Sequence, residues 1–348
     1  MKKPKLIRSA EYDHLGQDRR KLATLQRKGL LVRVRRGIYM DDAEWRTLSG
    51  RERYGLRVLT FGQQTEQEPV FCHATAALLW GLWIVGTPQR IHTRTEVTTS
   101  GRSSTGVTRH IGSYTESVQR CGPFLVTDKL STTMQLIDTL AFPYAVAVCD
   151  SSLRAPGNSW NRNLFTPPES DPFQHWPAWE PEVPQGLPLT VAQLRAAAAS
   201  LPSRAAQVRA LKVIEFSSAL SGSAGESLSR VKMFRLGFPA PVLQETFELR
   251  DGKKAKTDFW FKEKRIVGEF DGLGKYLRAN WSGGLSLPDR IIAEKRRENQ
   301  IRAQGVGFAR WDWQELMDTE TFASILRQAG LRQSGLMTGP WGKSRKMP

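Results

Sequence analysis

The sequence predicts a mixed α/β fold, and three stretches of the chain carry that prediction. Residues 13–40 combine a leucine-bearing helical run with two short alternating runs that are typical of strands. Residues 49–153 interleave helical and strand-like runs, and residues 190–334 contain the order helix, three strands, helix, strand, helix. With 348 residues, 40% of them hydrophobic, the chain is long enough for two or three domains with buried cores.

The sequence of the N-terminal part predicts a helix followed by a small basic hairpin. The helical run breaks at Gly29, and a tight turn at Arg36-Gly37 joins the two strands of LLVRVRRGIYM. A helix followed by a basic two-stranded wing is the tail of a winged-helix unit. We therefore predict that residues 1–48 form a winged-helix-like DNA-binding unit.

Basic side chains concentrate on this hairpin and could contact the phosphates of DNA. The candidates are Arg27, Lys28, Arg33, Arg35 and Arg36. We expect the hairpin's apolar residues to face the other way, because successive strand residues lie on opposite faces. These residues are Leu30, Val32 and Val34. The alternative is a small helix-hairpin subdomain whose basic rim is merely solvated.

Residues 49–153 predict an α/β unit in which no catalytic arrangement is visible. Its helical runs are SGRERYGLRVLTFGQQ, HATAALLWGLW and DKLSTTMQLIDTLAF. His73, His92 and His110 lie far apart in sequence, so we interpret each as a capping or hydrogen-bonded residue rather than a ligand. Asp128 is expected to cap a helix. These features favour an interaction or positioning domain.

Residues 154–189 predict a linker or a surface insertion, because proline blocks the interiors of helices and sheets. Trp160, Trp176 and Trp179 indicate that part of this segment docks onto a neighbouring domain. An aromatic platform for stacking bases is the functional alternative. Residues 335–348 predict a flexible tail.

The excess of basic residues predicts a polyanionic partner. The chain has 51 Lys and Arg against 34 Asp and Glu, a formal net charge of +17, which favours nucleic acid. An anionic membrane surface is the competing partner, but no basic amphipathic helix stands out. No stretch reaches the ~18 apolar residues of a membrane span, and the N terminus lacks the apolar run of a signal peptide. We therefore expect a cytoplasmic protein without a membrane partner.

The three cysteines do not predict a metal site. Cys72, Cys121 and Cys149 are an odd number and lack metal-ligand spacing. We expect each of them to be a buried thiol.

The segment KTDFWFKEKRIVGEFDGLGKY, residues 256–276, predicts a β-hairpin with opposed acidic side chains. A turn centred on Glu263-Lys264 would pair Phe259 with Gly268 and then Asp258 with Glu269. Alternation places Asp258, Glu269 and Asp271 on one face and the phenylalanines on the other. Directly opposed carboxylates, roughly 5 Å apart at Cβ, destabilise a sheet unless something compensates. A divalent cation with oxygen ligands is the usual compensation, and it also serves phosphodiester hydrolysis.

The C-terminal part resembles the PD-(D/E)XK, or restriction-endonuclease-like, superfamily, in the branch related to very-short-patch repair endonucleases. The matching elements are Glu226, Asp258, the run Glu269-Phe270-Asp271-Gly272, the helix run Glu294-Lys295-Arg296-Arg297-Glu298, Gly305 and Arg310-Trp311. They span about residues 220 to 330. Together with the RRGIY wing and the HATAALLWGL run, the whole chain resembles actinobacterial proteins that join a winged-helix domain of the type IV abortive-infection antitoxin family to such a nuclease-like domain.

This resemblance implies a restriction-endonuclease-like mixed sheet flanked by helices, following an antitoxin-family-like unit at residues 49–153. It implies that Asp258 and Glu269 bind Mg²⁺ or Mn²⁺, with Asp271 in or beside the ligand set. An ordinary surface hairpin, with these carboxylates paired to Lys256 or Lys264, is the alternative. The resemblance also makes Glu226 an acidic residue that reaches toward the metal, although Ser223 and Glu226 equally fit a capping box.

The chain departs from the superfamily pattern at Asp271, where a lysine is expected two residues after Glu269. Lys275, which follows a flexible Gly-Leu-Gly, could return an ammonium group to the scissile phosphate or the attacking water. The alternative is a solvated turn lysine. Glu294 and Glu298 recur at helical spacing on the later helix. Nearby arginines, Arg297, Arg302 and Arg310, could pair with them in a structural network or bind phosphate.

These features favour a DNA-binding protein whose C-terminal domain is a Mg²⁺-dependent endonuclease. The alternative is a non-catalytic transcriptional regulator, or an antitoxin-like protein with a toxin partner, in which the nuclease fold survives as a binding module. The absence of a lysine at Asp271 supports the alternative. Cleavage of RNA instead of DNA is a third possibility.

Overall fold

The computed structural model describes residues 5–14, 20–95, 106–112, 117–155, 186–272 and 287–334. These residues form helices and mixed sheets, as the prediction of an α/β fold requires. The chain divides into two compact units. One comprises Met1–Leu140 and Ser152–Ile214, and the other comprises Ala141–Ser151 and Glu215–Pro348. The predicted tail and most of the predicted linker lie outside the described residues.

The chain begins with a small helix-and-hairpin structure. Its elements are β1 (Leu6–Arg8), α1 (Ser9–His14), α2 (Arg20–Arg27), β2 (Leu31–Arg35) and β3 (Ile38–Asp41). The strands form an antiparallel sheet in the order β1-β3-β2, and Gly37 makes the turn between β2 and β3 with a φ of 75°. The predicted helix and hairpin are confirmed. The strand β1 is an addition that the sequence does not reveal.

The apolar face of this hairpin differs from the prediction at Leu30, which is 55% exposed. Pairing between β2 and β3 shifts between Arg33 and Arg35, so one strand carries an extra residue there. Such a bulge interrupts the period of two, and Leu31 and Val34 occupy the buried positions instead.

Helices and a second sheet follow within the first unit. The helices are α3 (Asp42–Thr47), α4 (Gly50–Gln64), α5 (His73–Leu79) and α6 (Lys129–Thr139). The strands are β4 (Val70–Phe71), β5 (Ile91–Thr95), β6 (Val107–Ile111), β7 (Val118–Cys121) and β8 (Phe124–Thr127), in the sheet order β6-β5-β4-β8-β7. The pairs β5–β6 and β4–β8 are parallel.

Local signals define how these helices begin and pack. Ser49 and Glu52 form a capping box at α4, and Asp128 caps α6 by accepting the N–H of Ser131 at 2.8 Å, as predicted. Leu56 of α4 shares a buried cluster with the residues of the hairpin and α3: Val34, Ile38, Met40 and Trp45. This cluster therefore crosses the boundary predicted near residue 48. The three cysteines are buried thiols, as predicted.

In the described part of the chain, four helices lie in sequence between α6 and the C-terminal sheet. They are α7 (Phe142–Leu153), α8 (Val191–Ala199), α9 (Arg204–Phe216) and α10 (Ala224–Arg235). In the second unit, the fully buried Asp150 of α7 pairs with Arg230 of α10 at 2.8 Å. Asp150 also accepts hydrogen bonds from Ser218 and Ser227, so the buried charge is well compensated.

The second unit contains a four-stranded mixed sheet in the order β12-β11-β10-β9. Its strands are β9 (Val242–Glu248), β10 (Lys254–Phe261), β11 (Ile266–Phe270) and β12 (Gly307–Trp311). The helix α11 (Leu287–Arg302) precedes β12, and α12 (Trp313–Met317) and α13 (Thr319–Gln328) follow it. Only β11 and β12 pair in parallel. The predicted order of helix, three strands, helix, strand and helix is confirmed.

Both faces of this sheet are covered. On one face, Phe270 lies against α10 so closely that a Cβ at Gly225 would come within 2.0 Å of its ring. On the other face, Trp260 and Val267 share a buried cluster with Ile301 of α11. Helix α10 therefore covers one face of the β10–β11 hairpin, and helix α11 covers the other.

None of the described helices is both long enough and apolar enough to cross a membrane.

Candidate functional site

The hairpin of β10 and β11 has the register that the sequence predicts. The pairs are Phe259 with Gly268, Trp260 with Val267, and Phe261 with Ile266. A single 3-10 turn, Lys262–Lys264, connects the strands, and Arg265 follows it with a left-handed φ of 50°. The paired residues end at Phe259 and Gly268, and Asp258 and Glu269 are the next residues of the two strands. There, Oδ2 of Asp258 accepts the backbone N–H of Phe270 at 2.9 Å.

Glu269 lies on the face of the sheet that α11 covers, since Arg297 of that helix contacts its carboxylate. The opposite face is aromatic. Phe259 stacks on Trp311, and Phe270 packs edge-on against Trp313. The alternation therefore places Glu269 on the face that α11 covers, with the apolar Trp260 and Val267, and places Phe259 and Phe270 on the other face.

Two guanidinium groups hold Glu269, whose side chain is only 7% exposed. Its Oε1 lies 2.7 Å from Nη2 of Arg297, and its Oε2 lies 2.6 Å from Nη2 of Arg310. Arg310 stands directly across the parallel β11–β12 pair from Glu269. In this structure, arginines of the same chain therefore offset the repulsion between Asp258 and Glu269.

Three further carboxylates surround these arginines. Oε1 of Glu294 accepts from Arg297 at 2.8 Å and from Arg310 at 2.7 Å. Asp271 lies 3.3 Å and Glu298 lies 3.1 Å from Arg310. Glu298 also pairs with Arg302 at 2.7 Å. With Asp258 and Glu269, five carboxylates therefore accompany three guanidiniums, which leaves a formal excess of two negative charges among the described residues. The arrangement can therefore attract a further cation.

Burial and charge pairing act in opposite directions on these groups. Burial raises the pKa of Glu269 above its ordinary value, although the hydrogen bond and charge of Arg297 and the charge of Arg310 oppose the rise. Burial would also raise the pKa of Glu294, but the two arginines outweigh it and lower the pKa. Burial disfavours the charge of Arg310, yet Glu269 and Glu294 raise its pKa above the ordinary value. Arg310 is therefore a permanently charged centre of the network.

Hard oxygen donors are present, but they do not form a closed three-ligand cage. Among the described residues, the predicted ligands Asp258, Glu269 and Asp271 do not bring one oxygen each within 4.8 Å of one another. Asp258 and Asp271 are half-buried, so both can be reached from solvent. The donor type and the negative excess fit a hydrated Mg²⁺ or Mn²⁺, which commonly keeps several waters and takes one or two carboxylates. Arg297 and Arg310 are the groups with which such an ion competes for Glu269.

Glu226 is buried at the start of α10 and makes the contacts of a capping residue. Its backbone N–H donates to Oγ of Ser223 at 3.2 Å. Its carboxylate accepts from the N–H of Gly222 at 2.6 Å, from the Ser223 hydroxyl at 3.0 Å and from Gln244 at 3.2 Å. Ser223 therefore caps α10 as the capping alternative predicts, but the carboxylate of Glu226 accepts the N–H of Gly222 in place of that of Ser223, so only one half of the capping box is present. A role of Glu226 beside the metal stays a prediction.

Lys275 lies outside the described residues, so its predicted role stays a prediction. The described chain of this segment ends with Gly272 and resumes at Leu287, the first residue of α11.

Four of the five predicted DNA-binding residues are exposed: Arg27, Lys28, Arg33 and Arg36. The fifth, Arg35, is half-buried. Its Nε donates to Gln64 of α4 at 3.2 Å, and its guanidinium lies 4.7 Å from the centre of the Phe61 ring. Burial lowers the pKa of Arg35. Arg35 therefore attaches the hairpin to α4, while the other four can meet phosphates.

The structure brings together three histidines that the sequence analysis treats as separate. The rings of His73 and His110 stack with their centres 3.6 Å apart, and His92 Nδ1 lies 2.8 Å from His110 Nε2. The parallel pairing of β5 with β6 and the junction of β4 with α5 create this cluster. Sequence spacing gives no sign of it. The sequence feature that could have indicated the cluster is that His92 and His110 both lie in strand-like runs.

Comparisons with known proteins assign neither a family nor a function to the chain. No protein-family model matches the chain, and no curated protein matches it significantly. The functional argument therefore rests on the residues and contacts of the chain itself.

Proposed function

We propose that this protein binds DNA and hydrolyses its phosphodiester bonds with a Mg²⁺ or Mn²⁺ ion held by Asp258 and Glu269. The observation that carries the proposal is the closeness of these two carboxylates just beyond the paired part of the hairpin, where Asp258 accepts the N–H of Phe270 and where burial and then the charge of Asp258 raise the pKa of Glu269. They lie on a strand pair that has an acidic residue, Asp271, just beyond its end. The ion would polarise the scissile phosphate and lower the pKa of an attacking water.

The charges of the surrounding residues support this role. The excess of two negative charges among the described residues around Glu269 favours a divalent cation over an empty site. Arg297 and Arg310 would bind the phosphate oxygens of DNA when a cation takes their place at Glu269, because a guanidinium pairs with phosphate as well as with carboxylate. Lys275 would contribute a third positive charge to the same phosphate.

DNA is the proposed substrate because the charge of the whole chain is strongly positive, at +17. The exposed hairpin residues Arg33 and Arg36 would add affinity through phosphate contacts. An RNA substrate in the same cleavage assay would test the alternative that the protein cleaves RNA.

A second candidate function is a DNA-binding regulator without catalytic activity, which could act with a toxin partner. The specific observation that favours it is that both oxygens of Glu269 already accept from arginines. In that case the acidic cluster is a structural network, and the nuclease-like sheet serves only for binding.

Nicking of supercoiled plasmid distinguishes the two functions. Wild-type protein and the Asp258→Asn variant are incubated with plasmid in Mg²⁺, Mn²⁺ or EDTA, and DNA affinity is measured on the same samples. The proposal predicts metal-dependent nicking by the wild type and a loss of roughly 10²-fold or more in the variant, since metal catalysis is worth several kcal/mol. DNA binding without nicking in either metal would favour the regulator.

A further inference from the structure

The cluster of Cys72, His73, His92 and His110 lies in the first unit, apart from the residues of the proposed nuclease site. Cys72 occupies the position before α5, and His73 is the first residue of that helix. His92 belongs to β5 and His110 to the neighbouring parallel strand β6. One potential ligand atom from each of Cys72, His73 and His110 lies within 4.8 Å of the others.

The backbone holds these residues in place. His73 adopts a left-handed φ of 48°, which is uncommon for a residue other than glycine, and its N–H donates to Oε1 of Gln135 at 2.8 Å. The N–H of Cys72 donates to the carbonyl of His92 at 3.1 Å, and the N–H of His92 donates to the Thr75 hydroxyl at 2.8 Å. A conformation that costs energy is thus fixed by three hydrogen bonds around the cluster.

The side chains are ready to donate lone pairs. Nδ1 of His73 is buried and has no hydrogen-bond partner within the described part of the chain. Burial and the neighbouring imidazoles lower the pKa of His73 to about 3 and that of His92 to about 4, so both are neutral at pH 7. A buried nitrogen without a partner destabilises the folded state, and a bound ligand would remove that cost.

We propose that Cys72, His73 and His110 form a binding site for a transition-metal cation of the zinc type, with His92 orienting His110 through their hydrogen bond. Thiolate and imidazole ligands suit Zn²⁺, whereas Mg²⁺ takes oxygen ligands. Tetrahedral bonds of about 2.0–2.3 Å set the ligand atoms about 3.3–3.8 Å apart. Metal binding would therefore draw the ligand atoms together by up to about one ångström and turn the stacked rings of His73 and His110 so that their lone pairs converge. Three protein ligands leave a fourth position for water or a small ligand.

The bound ion would connect two parts of the first unit. It would link the β4–α5 junction, through Cys72 and His73, to β6 at the edge of the five-stranded sheet, through His110. Such a cross-link stabilises the folded state by the free energy of metal binding. The ion would therefore stabilise the N-terminal unit while its fourth coordination position stays open.

Cobalt binding by the full-length protein tests the assignment, because Co²⁺ reports its ligands by absorption. Protein stripped of metal with a chelator is titrated with Co²⁺ and then with Zn²⁺. We expect one equivalent of Co²⁺ to give a thiolate-to-cobalt charge-transfer band and the visible bands of tetrahedral coordination. Zn²⁺ should displace this signal and Mg²⁺ should not. Oxygen ligands such as Asp258 and Glu269 give no charge-transfer band of this kind, so the result is independent of the nuclease proposal.

Two variants and one matched control complete the test. Cys72→Ser should lose the charge-transfer band, and His110→Gln should lose binding of one equivalent. His110 is half-buried, so this variant tests the site even if Cys72→Ser fails to fold. Cys121→Ser changes a buried thiol of the same unit outside the cluster and should keep both signals. A wild type without the band, or a folded His110→Gln protein with unchanged cobalt binding, would overturn the proposal.

Discussion

Arg310 lies directly across the parallel strand pair from Glu269, and its Nη2 donates to Oε2 of Glu269 at 2.6 Å. The same guanidinium contacts Glu294, Asp271 and Glu298. Arg310 therefore contributes both to the stability of the C-terminal sheet and to the charge balance of the proposed metal site.

Removing this charge should destabilise the C-terminal unit. Arg310→Gln leaves Glu269 buried with one partner fewer, and we expect a loss of about 3 kcal/mol, the low end for breaking a buried pair. Urea unfolding followed by tryptophan fluorescence measures the change, since Trp311 and Trp313 lie in this unit. Lys253→Gln breaks an exposed pair with Asp251 and should change stability by less than about 1 kcal/mol. Equal effects of the two variants would contradict a central role for Arg310.

Arginine and metal should compete for the acidic cluster. In Arg297→Gln, Glu269 and Glu294 lose one of their two guanidinium partners, so the local negative charge increases. We expect Mg²⁺ to raise the melting temperature of this variant more than that of the wild type. Thermal unfolding over a series of Mg²⁺ concentrations measures the difference. The same response in both proteins would argue against a cation site at these carboxylates.

The exposed hairpin arginines should contribute to DNA affinity through phosphates. Arg33→Ala and Arg36→Ala should each weaken binding to all sequences and reduce the slope of log K against log salt by about 1. Binding titrations at several salt concentrations give this slope. Arg195→Ala, which removes an exposed arginine from α8, serves as the control. If the control weakens binding as much as the hairpin variants, the hairpin is not the DNA-binding surface.

Lys129 should make stability depend on pH. It is almost fully buried, its Nζ donates to the carbonyl of Leu187 at 3.0 Å, and burial lowers its pKa to about 8. Between pH 8 and the unfolded pKa near 10.4, the unfolded state binds more protons at this residue, so its contribution to stability rises with pH.

The variant Lys129→Met removes this contribution. The free energy of unfolding of the wild type relative to the variant should therefore increase by roughly 3 kcal/mol at most between pH 7 and pH 11. Urea unfolding of both proteins across this range measures the difference, and groups such as Tyr54 affect both proteins alike. Parallel curves for the two proteins would show that Lys129 titrates normally.

The parts of the fold that depend on neighbours in sequence could be predicted, and the parts that depend on distant pairing could not. The register from Phe261–Ile266 to Phe259–Gly268, which brings Asp258 and Glu269 near each other, follows from a local turn and from strand alternation. The Glu269–Arg310 pair depends on parallel pairing between strands separated by a whole helix, which spacing does not specify. The same reason hides the approach of His73 to His110. The exposure of Leu30 was missed because no residue pattern marked the bulge near Arg35.

The most direct test of the central claim compares two glutamates of the same hairpin. Glu269 is buried at the proposed metal site, whereas Glu263 is exposed in the turn. Plasmid cleavage rates in Mn²⁺ and DNA affinities are measured for wild type, Glu269→Gln and Glu263→Gln, with folding verified by circular dichroism. The account predicts that Glu269→Gln folds, binds DNA and loses cleavage, while Glu263→Gln matches the wild type. Undiminished cleavage by Glu269→Gln would contradict it.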